Sequence, residues 1–191
     1  MSTLPLFPLN TVLFPGGVLP LRIFETRYID MVRNCLRTDT GFGVCAIREG
    51  GEVGPAAEVH PVGTRAVIAD WEGRADGLLG ITARGEERFR ILRTWVQPDR
   101  LLMAEVEYLP EPSAAAIPEE FLDLVTLLDR LLSELGPPYA GLARDAGNAA
   151  WVGARLGELL PVSLEAKQRM LESDDPLSRL FILRDAMLNL A

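Results

Sequence analysis

Residues 3–36 read TLPLFPLNTVLFPGGVLPLRIFETRYIDMVRNCL, and this stretch decides how the rest of the chain is organised. Its first half is apolar but carries Pro5, Pro8, Pro15 and Pro20. Leu4, Leu6, Leu9, Val12 and Phe14 therefore read as short strand pieces broken by Pro5 and Pro8, because a residue without an N–H is confined to sheet edges and strand ends. Pro15-Gly16-Gly17 is a turn signal: proline presets φ for the first turn position and glycine accepts positive φ. Residues 18–23 alternate weakly and read as a second strand. After Phe24 the period changes. Glu25 or Thr26 offers an oxygen to cap a helix, and Tyr28, Met31, Val32, Cys35 and Leu36 recur on one face at helical spacing. Residues 38–41, Thr-Asp-Thr-Gly, end that helix.

Working outward, residues 42–109 carry strand patterns. FGVCAIRE, AAEVHPVGTRAVIADW, GLLGITARGEERFRILRTW and LLMAEVEYLP alternate or run apolar, with Gly, Asp and Pro between them. Several strands and one helix predict a curled sheet or small barrel-like body over residues 1–110. Glu111-Pro112-Ser113 opens a linker. Beyond it Pro118, Glu119 and Glu120 suit a helix start, and Phe121, Leu124, Leu128, Leu131, Leu132 and Leu135 form a stripe ended by Gly136-Pro137-Pro138. A second helix starts near Asn148 and carries Trp151, Val152, Leu156, Leu159 and Leu160. Ser163 caps a third, with Leu164, Met170 and Leu171. Asp175-Pro176 opens a fourth, with Leu177, Leu180, Phe181, Met187 and Leu188. The expected fold is α+β: a curled β body with one helix over residues 1–110, then a C-terminal α-helical bundle over residues 111–191.

The chain has 191 residues, of which 48% are hydrophobic, enough for a large domain or a domain with a helical annex. Its net charge of −8 argues against affinity for phosphate backbones, which needs clustered Lys and Arg. Of the basic residues 18 are Arg, and Lys167 is the only Lys. No run of about 18 apolar residues predicts a membrane span, and the apolar N-terminus lacks a basic residue before Arg22 and is broken by prolines, unlike a secretory leader. Cys35 and Cys45 fit neither a disulfide framework nor a zinc spacing; buried free thiols in a reducing cytoplasm are the expectation.

A search for chemistry returns little. His60, in EVHPVG, is the only histidine, and a general base there has no neighbouring nucleophile in the sequence. No Gly-x-Ser-x-Gly elbow and no Gly-x-x-x-x-Gly-Lys-Ser/Thr loop occurs, which removes the usual hydrolase and P-loop routes. The run from Gly41 to Ala46 formally fits a dinucleotide fingerprint, but no strand precedes it and β-type residues follow. The pairs Glu86-Glu87, Glu119-Glu120 and Asp174-Asp175 read as solvated faces and helix starts, not as metal ligands. Arg84, Arg88, Arg90 and Arg93, interleaved with Glu86 and Glu87, read as a mixed-charge exposed sheet face, with an anionic-ligand or peptide-contact patch as the alternative. Trp71, Trp95 and Trp151 suit a core or an interface better than base stacking. No catalytic residue, metal ligand or cofactor site is expected.

LPLFPLNTVLFPGGVLPLRIFETRY resembles the opening of the N-terminal substrate-recognition domain of Lon-type ATP-dependent proteases. FGVCAI, VGTRAVI, DGLLGITARGEERFRIL, AEVEYLP and LPVSLEAKQRMLESDDPLSRLFIL continue the resemblance in the family's order over nearly the whole chain. One departure is Thr26, where the family often has Pro before Arg27-Tyr28; either residue favours a helix start. The resemblance implies a PUA-like pseudo-barrel followed by helices, and a stand-alone substrate-binding-domain protein without the Lon ATPase and Ser-Lys peptidase modules. The implied function is non-catalytic: binding of unfolded or exposed polypeptide segments in protein quality control, as adaptor or holdase, with a protease as partner. Leu13, Phe14 and Trp71 are the candidate peptide-binding residues. Arg22, Glu25, Arg27 and Tyr28 are assigned to a helix start pinned by polar contacts. RNA binding through the PUA-like fold is the alternative, with the net charge against it, and a small-molecule enzyme relying on His60 is a third reading. A dimer through the β body and one through the helices are equally open.

Overall fold

The computed structural model describes residues 2–73, 78–136, 139 and 142–188. The chain forms two compact units, residues 1–110 and 111–191. In the first, β1 (Ser2–Leu9) and β2 (Val18–Ile23) lead into α1 (Thr26–Thr38), followed by β3 (Phe42–Glu49), β4 (Glu58–Val59), β5 (Val62–Gly73), β6 (Leu79–Val96) and β7 (Leu102–Tyr108). Pairings run β1–β7–β6–β5–β3, and β3 returns to β1 through the parallel register Leu6↔Gly43 to Leu9↔Ala46, so five strands close a circuit. The other pairings are antiparallel. β6 is long enough to serve two neighbourhoods: Thr82 pairs with Pro20 of β2 on one side and Asp70 of β5 on the other, while its second half pairs with β7.

The prolines of β1 do not break it, contrary to the expectation of separate pieces. Ser2–Pro5 pair with β7 and Leu6–Leu9 pair with β3. The strand changes partner halfway, so each half has an unpaired side where a missing N–H costs no ladder bond. Its alternation then feeds two cores. Leu4 and Leu6 pack with Cys45, Phe89, Leu102, Ala104 and Val106, all from strands of the closed circuit. Phe7 and Leu9 pack with Ile23, Tyr28, Met31, Val32, Cys35 and Phe42, under α1 and β2, which lie outside the circuit. A Cβ on Gly43 would come within 2.7 Å of the Phe89 ring, and one on Gly63 within 2.6 Å of Cys45 Sγ. Glycine at both positions leaves room for a whole phenyl group inside the ring.

α1 buries Tyr28, Met31, Val32 and Cys35 as expected, but also Arg27, and it leaves Leu36 exposed. Asp39 ends it in the left-handed region at φ 53°, its N–H donating to the Cys35 carbonyl. Cys35 and Cys45 are free and buried; burial pushes both thiols up, Cys45 strongly.

The second unit begins with a 3-10 turn, Glu119–Phe121, and continues with α2 (Leu122–Glu134), α3 (Ala149–Leu159), α4 (Leu164–Glu172) and α5 (Pro176–Leu188). Pro137 and Pro138, expected to end α2, lie outside the described residues. α3 is the most enclosed, burying Ala149, Val152 and Gly153 through Gly157, and it packs against α2, α4 and α5. The capping side chains are those the sequence nominates. Asn148 accepts from the Ala150 N–H at 3.0 Å, Ser163 from Ala166 at 3.1 Å, and Asp175 from Leu177 and Ser178, each at 3.1 Å. Arg179, buried, donates twice to the Ser173 carbonyl just past α4. Among the described residues no helix is long and apolar enough to cross a membrane.

Candidate functional site

The β2–α1 junction builds a surface of the first unit where exposed apolar side chains stand around a cleft. Ile23 points inward at 1% exposure and Phe24, the next residue, is 57% exposed, as strand alternation requires. The chain is held there by the residue that follows. Glu25 is the N-cap of α1 but makes no side-chain cap bond; its carboxylate instead pairs with the Arg27 guanidinium at 2.9 Å. Arg27 lies over the Tyr28 ring, 4.7 Å from its centroid, and donates to the Arg100 carbonyl at 3.1 Å. Tyr28 stacks on Phe7 at 4.2 Å, and burial raises the pKa of its hydroxyl. The helix start is thus pinned by Glu25, Arg27 and Tyr28, as the sequence reading assigns, whereas Arg22 is exposed and takes no part in the pin.

Opposite Phe24 stands the 50–57 loop, which turns at Gly50 and Gly54 with φ of 105° and 99°. Glu52 anchors it by accepting the Asn10 N–H at 2.6 Å. The anchored loop presents Val53 at 60% exposure. Between them lies a cleft of about 200 Å³ whose apolar walls include Phe7, Leu9, Leu21, Ile23 and Tyr28. A second, wider depression of about 410 Å³ lies on the side of Thr26, Gly54, Asp99 and Arg100. Phe24 and Val53 line both, so they form an apolar ridge between two hollows. The charges nearby cancel: Arg22, Arg27 and Arg100 against Glu25, Glu52 and Asp99. Such a surface can bury an uncharged side chain; it offers no nucleophile–base pair.

The residues nominated from sequence fall differently. Leu13 and Phe14 are interior, at 2% and 0% exposure. The Thr64 hydroxyl donates to the Leu13 carbonyl at 2.6 Å, Gly16 donates to the Gly85 carbonyl at 2.9 Å, and the Gly85 N–H donates to Gly17 at 2.9 Å. The 13–17 loop is therefore fastened to the sheet with its side chains turned in, and these two residues are corrected to core positions. Trp71 is 59% exposed on β5. His60 is half-buried, its main-chain N–H donating to Ala46, and among the described residues no group of His, Cys, Asp and Glu could hold a metal. The arginine run is not uniformly a solvated face: Arg84, Arg90 and Arg93 are exposed, but Arg88 is 1% exposed and donates to the Pro110 carbonyl at 2.9 Å. Trp95 is also exposed. Sequence reasoning missed Phe24 and Val53. The available signal was Val53 itself, one apolar residue within the polar, glycine-rich EGGEVG.

The geometry defines a domain of mixed α/β type with an apolar, charge-balanced ridge between two hollows. Residues 3–189 match the family described as the ATP-dependent protease La (LON) substrate-binding domain, and the chain belongs to that family. It is similar to the Lon protease of Anaeromyxobacter dehalogenans (strain 2CP-C), 28% identical over 194 residues; the alignment covers 97% of this chain but only 23% of that protein's length. The crystal structure of a Lon N-terminal domain protein from Xanthomonas campestris shares 38% identity at a TM-score of 0.80, over 97% of this chain and 98% of that one. The N-terminal domain of Mycobacterium avium complex Lon protease, 22% identical at a TM-score of 0.65 over 96% of this chain and 97% of that one, shows the same fold. The matched family is the substrate-binding part of Lon and not its catalytic part.

Proposed function

We propose that this chain is a non-catalytic recognition module that holds unfolded or exposed polypeptide segments through the Phe24–Val53 ridge and the apolar cleft beside it. One observation carries the reading. In a member of a substrate-binding family, the strand–helix junction exposes a phenylalanine, and the 50–57 loop facing it a valine, over an apolar-walled cleft in balanced surrounding charge. Covering one large apolar side chain contributes about 1.5–3 kcal/mol, so affinity for a segment arises from a few such contacts at once. Trp71 is retained as an accessory contact because it is exposed. The reading includes a PUA-like β body over residues 1–110 with a helical bundle over 111–191, work in the cytoplasm as adaptor or holdase, and a protease as downstream partner.

The test is a titration with a permanently unfolded polypeptide free of tryptophan, such as reduced and carboxymethylated ribonuclease A, following this protein's own Trp fluorescence and sedimentation. Saturable binding without ATP, weakened at least tenfold by Phe24→Ser, is the expected result. Binding of tRNA that weakens with salt, in the absence of polypeptide binding, would replace this reading with nucleic-acid recognition through the β body.

A further inference from the structure

β6 is paired on both sides over residues 79–84 and again at Phe89 and Arg90, but not at its end. On the β5 side the register stops at Val62↔Arg90, with the Ile91 N–H donating to the Pro61 carbonyl. Beyond that point, among the described residues, only β7 pairs with it. The Gln97 N–H donates to Leu101 across the closing turn at 2.9 Å. Counting back along the alternating antiparallel ladder, Trp95 and Arg93 aim their main-chain groups at β7, and Thr94 and Val96 aim theirs at the open side. Residues 92–96, Leu-Arg-Thr-Trp-Val, are all exposed, and none is a proline. Of the features that usually blunt exposed edges, this one carries the bulge between Ile91 and Arg93 and one charged residue, Arg93, whose side chain is paired with Glu105.

A cleft of about 410 Å³ lies along the same edge, with Val59, Ile91, Leu92 and Leu102 among its lining. Two arginines also line it, and each is already tied to a carboxylate: Arg48 to Glu58 at 2.6 Å and Arg93 to Glu105 at 2.5 Å. The cleft is therefore locally neutral, with apolar side chains standing among polar ones, and its long side is a row of main-chain donors and acceptors without partners in the sheet. We infer that the Thr94–Val96 edge of β6 accepts an extended, uncharged apolar segment of another polypeptide as an added strand. The main chain of that segment takes up the free N–H and C=O groups, and alternate side chains enter the cleft. This rests on the polypeptide-binding reading and adds a second, main-chain contact remote in sequence from Phe24.

Thr94→Pro tests it on the full chain. The substitution removes the outward N–H and leaves every ladder bond to β7 in place, since Thr94 does not donate to β7. With the same carboxymethylated ribonuclease A as probe, binding is expected to weaken at least tenfold in Thr94→Pro and to change little with salt. In the unsubstituted chain, amide hydrogen exchange is expected to slow at Thr94 and Val96 when the probe is added, a readout independent of how the variant folds. Unchanged affinity in Thr94→Pro, with no protection at these amides, overturns the edge proposal while the recognition reading stands. Absence of any probe binding overturns both. Concentration-dependent self-association that Thr94→Pro abolishes, with no effect of probe at these amides, assigns the edge to a second copy of the chain and overturns the peptide occupant.

Discussion

At the residue scale, the close contacts inside the β circuit set sharp limits. A methyl group on Gly63 would sit 2.6 Å from both Cys45 Sγ and the Val44 carbonyl, and backbone on that side cannot yield as a flexible side chain would. Gly63→Ala is expected to destabilise by about 2 kcal/mol, read as a lower urea midpoint. Gly147, where an added Cβ meets nothing within 4 Å, is the control and should shift by no more than about 0.5 kcal/mol. Arg27 is the other decisive residue. It is 7% exposed and holds Glu25, the Arg100 carbonyl and the Tyr28 ring together. Arg27→Met keeps the bulk but leaves the Arg100 carbonyl without this donor and Glu25 without its partner, at a cost of about 3 kcal/mol. Because Phe24 is presented by this pin, polypeptide affinity should fall with stability, whereas Phe24→Ser should lower affinity alone.

At the scale of the element, helix starts of the second unit depend on single oxygens. Ser163→Ala removes the acceptor of the Ala166 N–H and should cost about 1 kcal/mol in a denaturation experiment. Asp175 contributes in a pH-dependent way. The Ser178 hydroxyl, with the Leu177 and Ser178 N–H groups, holds its carboxyl below the usual carboxylate range. A group whose pKa is depressed by folding adds stability above its unfolded value, about 3.9 for Asp, and loses it as the pH falls through the folded value. The difference in thermal midpoint between the unsubstituted chain and Asp175→Ala should therefore be full near neutrality and shrink as the solution is acidified below about pH 4. The strands follow a different logic, since β1 tolerates Pro5 and Pro8 only because its two halves pair on opposite sides.

For the whole molecule, the relevant fact is that residues 1–110 hold their own closed strand circuit and two internal clusters. Even their last main-chain groups are used internally, by Leu109 donating to Arg88 and Arg88 donating to Pro110. Residues 1–110 expressed alone should unfold in urea in one cooperative transition reported by Trp71 and Trp95. A broad, non-cooperative loss of signal would show instead that the first unit depends on the second.

The local rules were legible in the chain itself. Periodicity located α1 and the helical segments of the second part, and Asn148, Ser163 and Asp175 cap where a short polar side chain before an apolar run predicts. The buried free thiols followed from the lack of a zinc or disulfide spacing and from their places on an apolar helix face and inside a strand. Tertiary structure decided what spacing cannot encode. Whether Pro5 and Pro8 break a strand depends on which neighbour each half meets. Leu13 and Phe14 look like Phe24 in sequence, yet main-chain bonds to Thr64 and Gly85 turn the first two inward while the Arg27 pin leaves Phe24 outside. A side chain's exposure is set by partners far away in sequence, so hydrophobicity could name the candidates for a binding surface, and only the folded chain could choose among them.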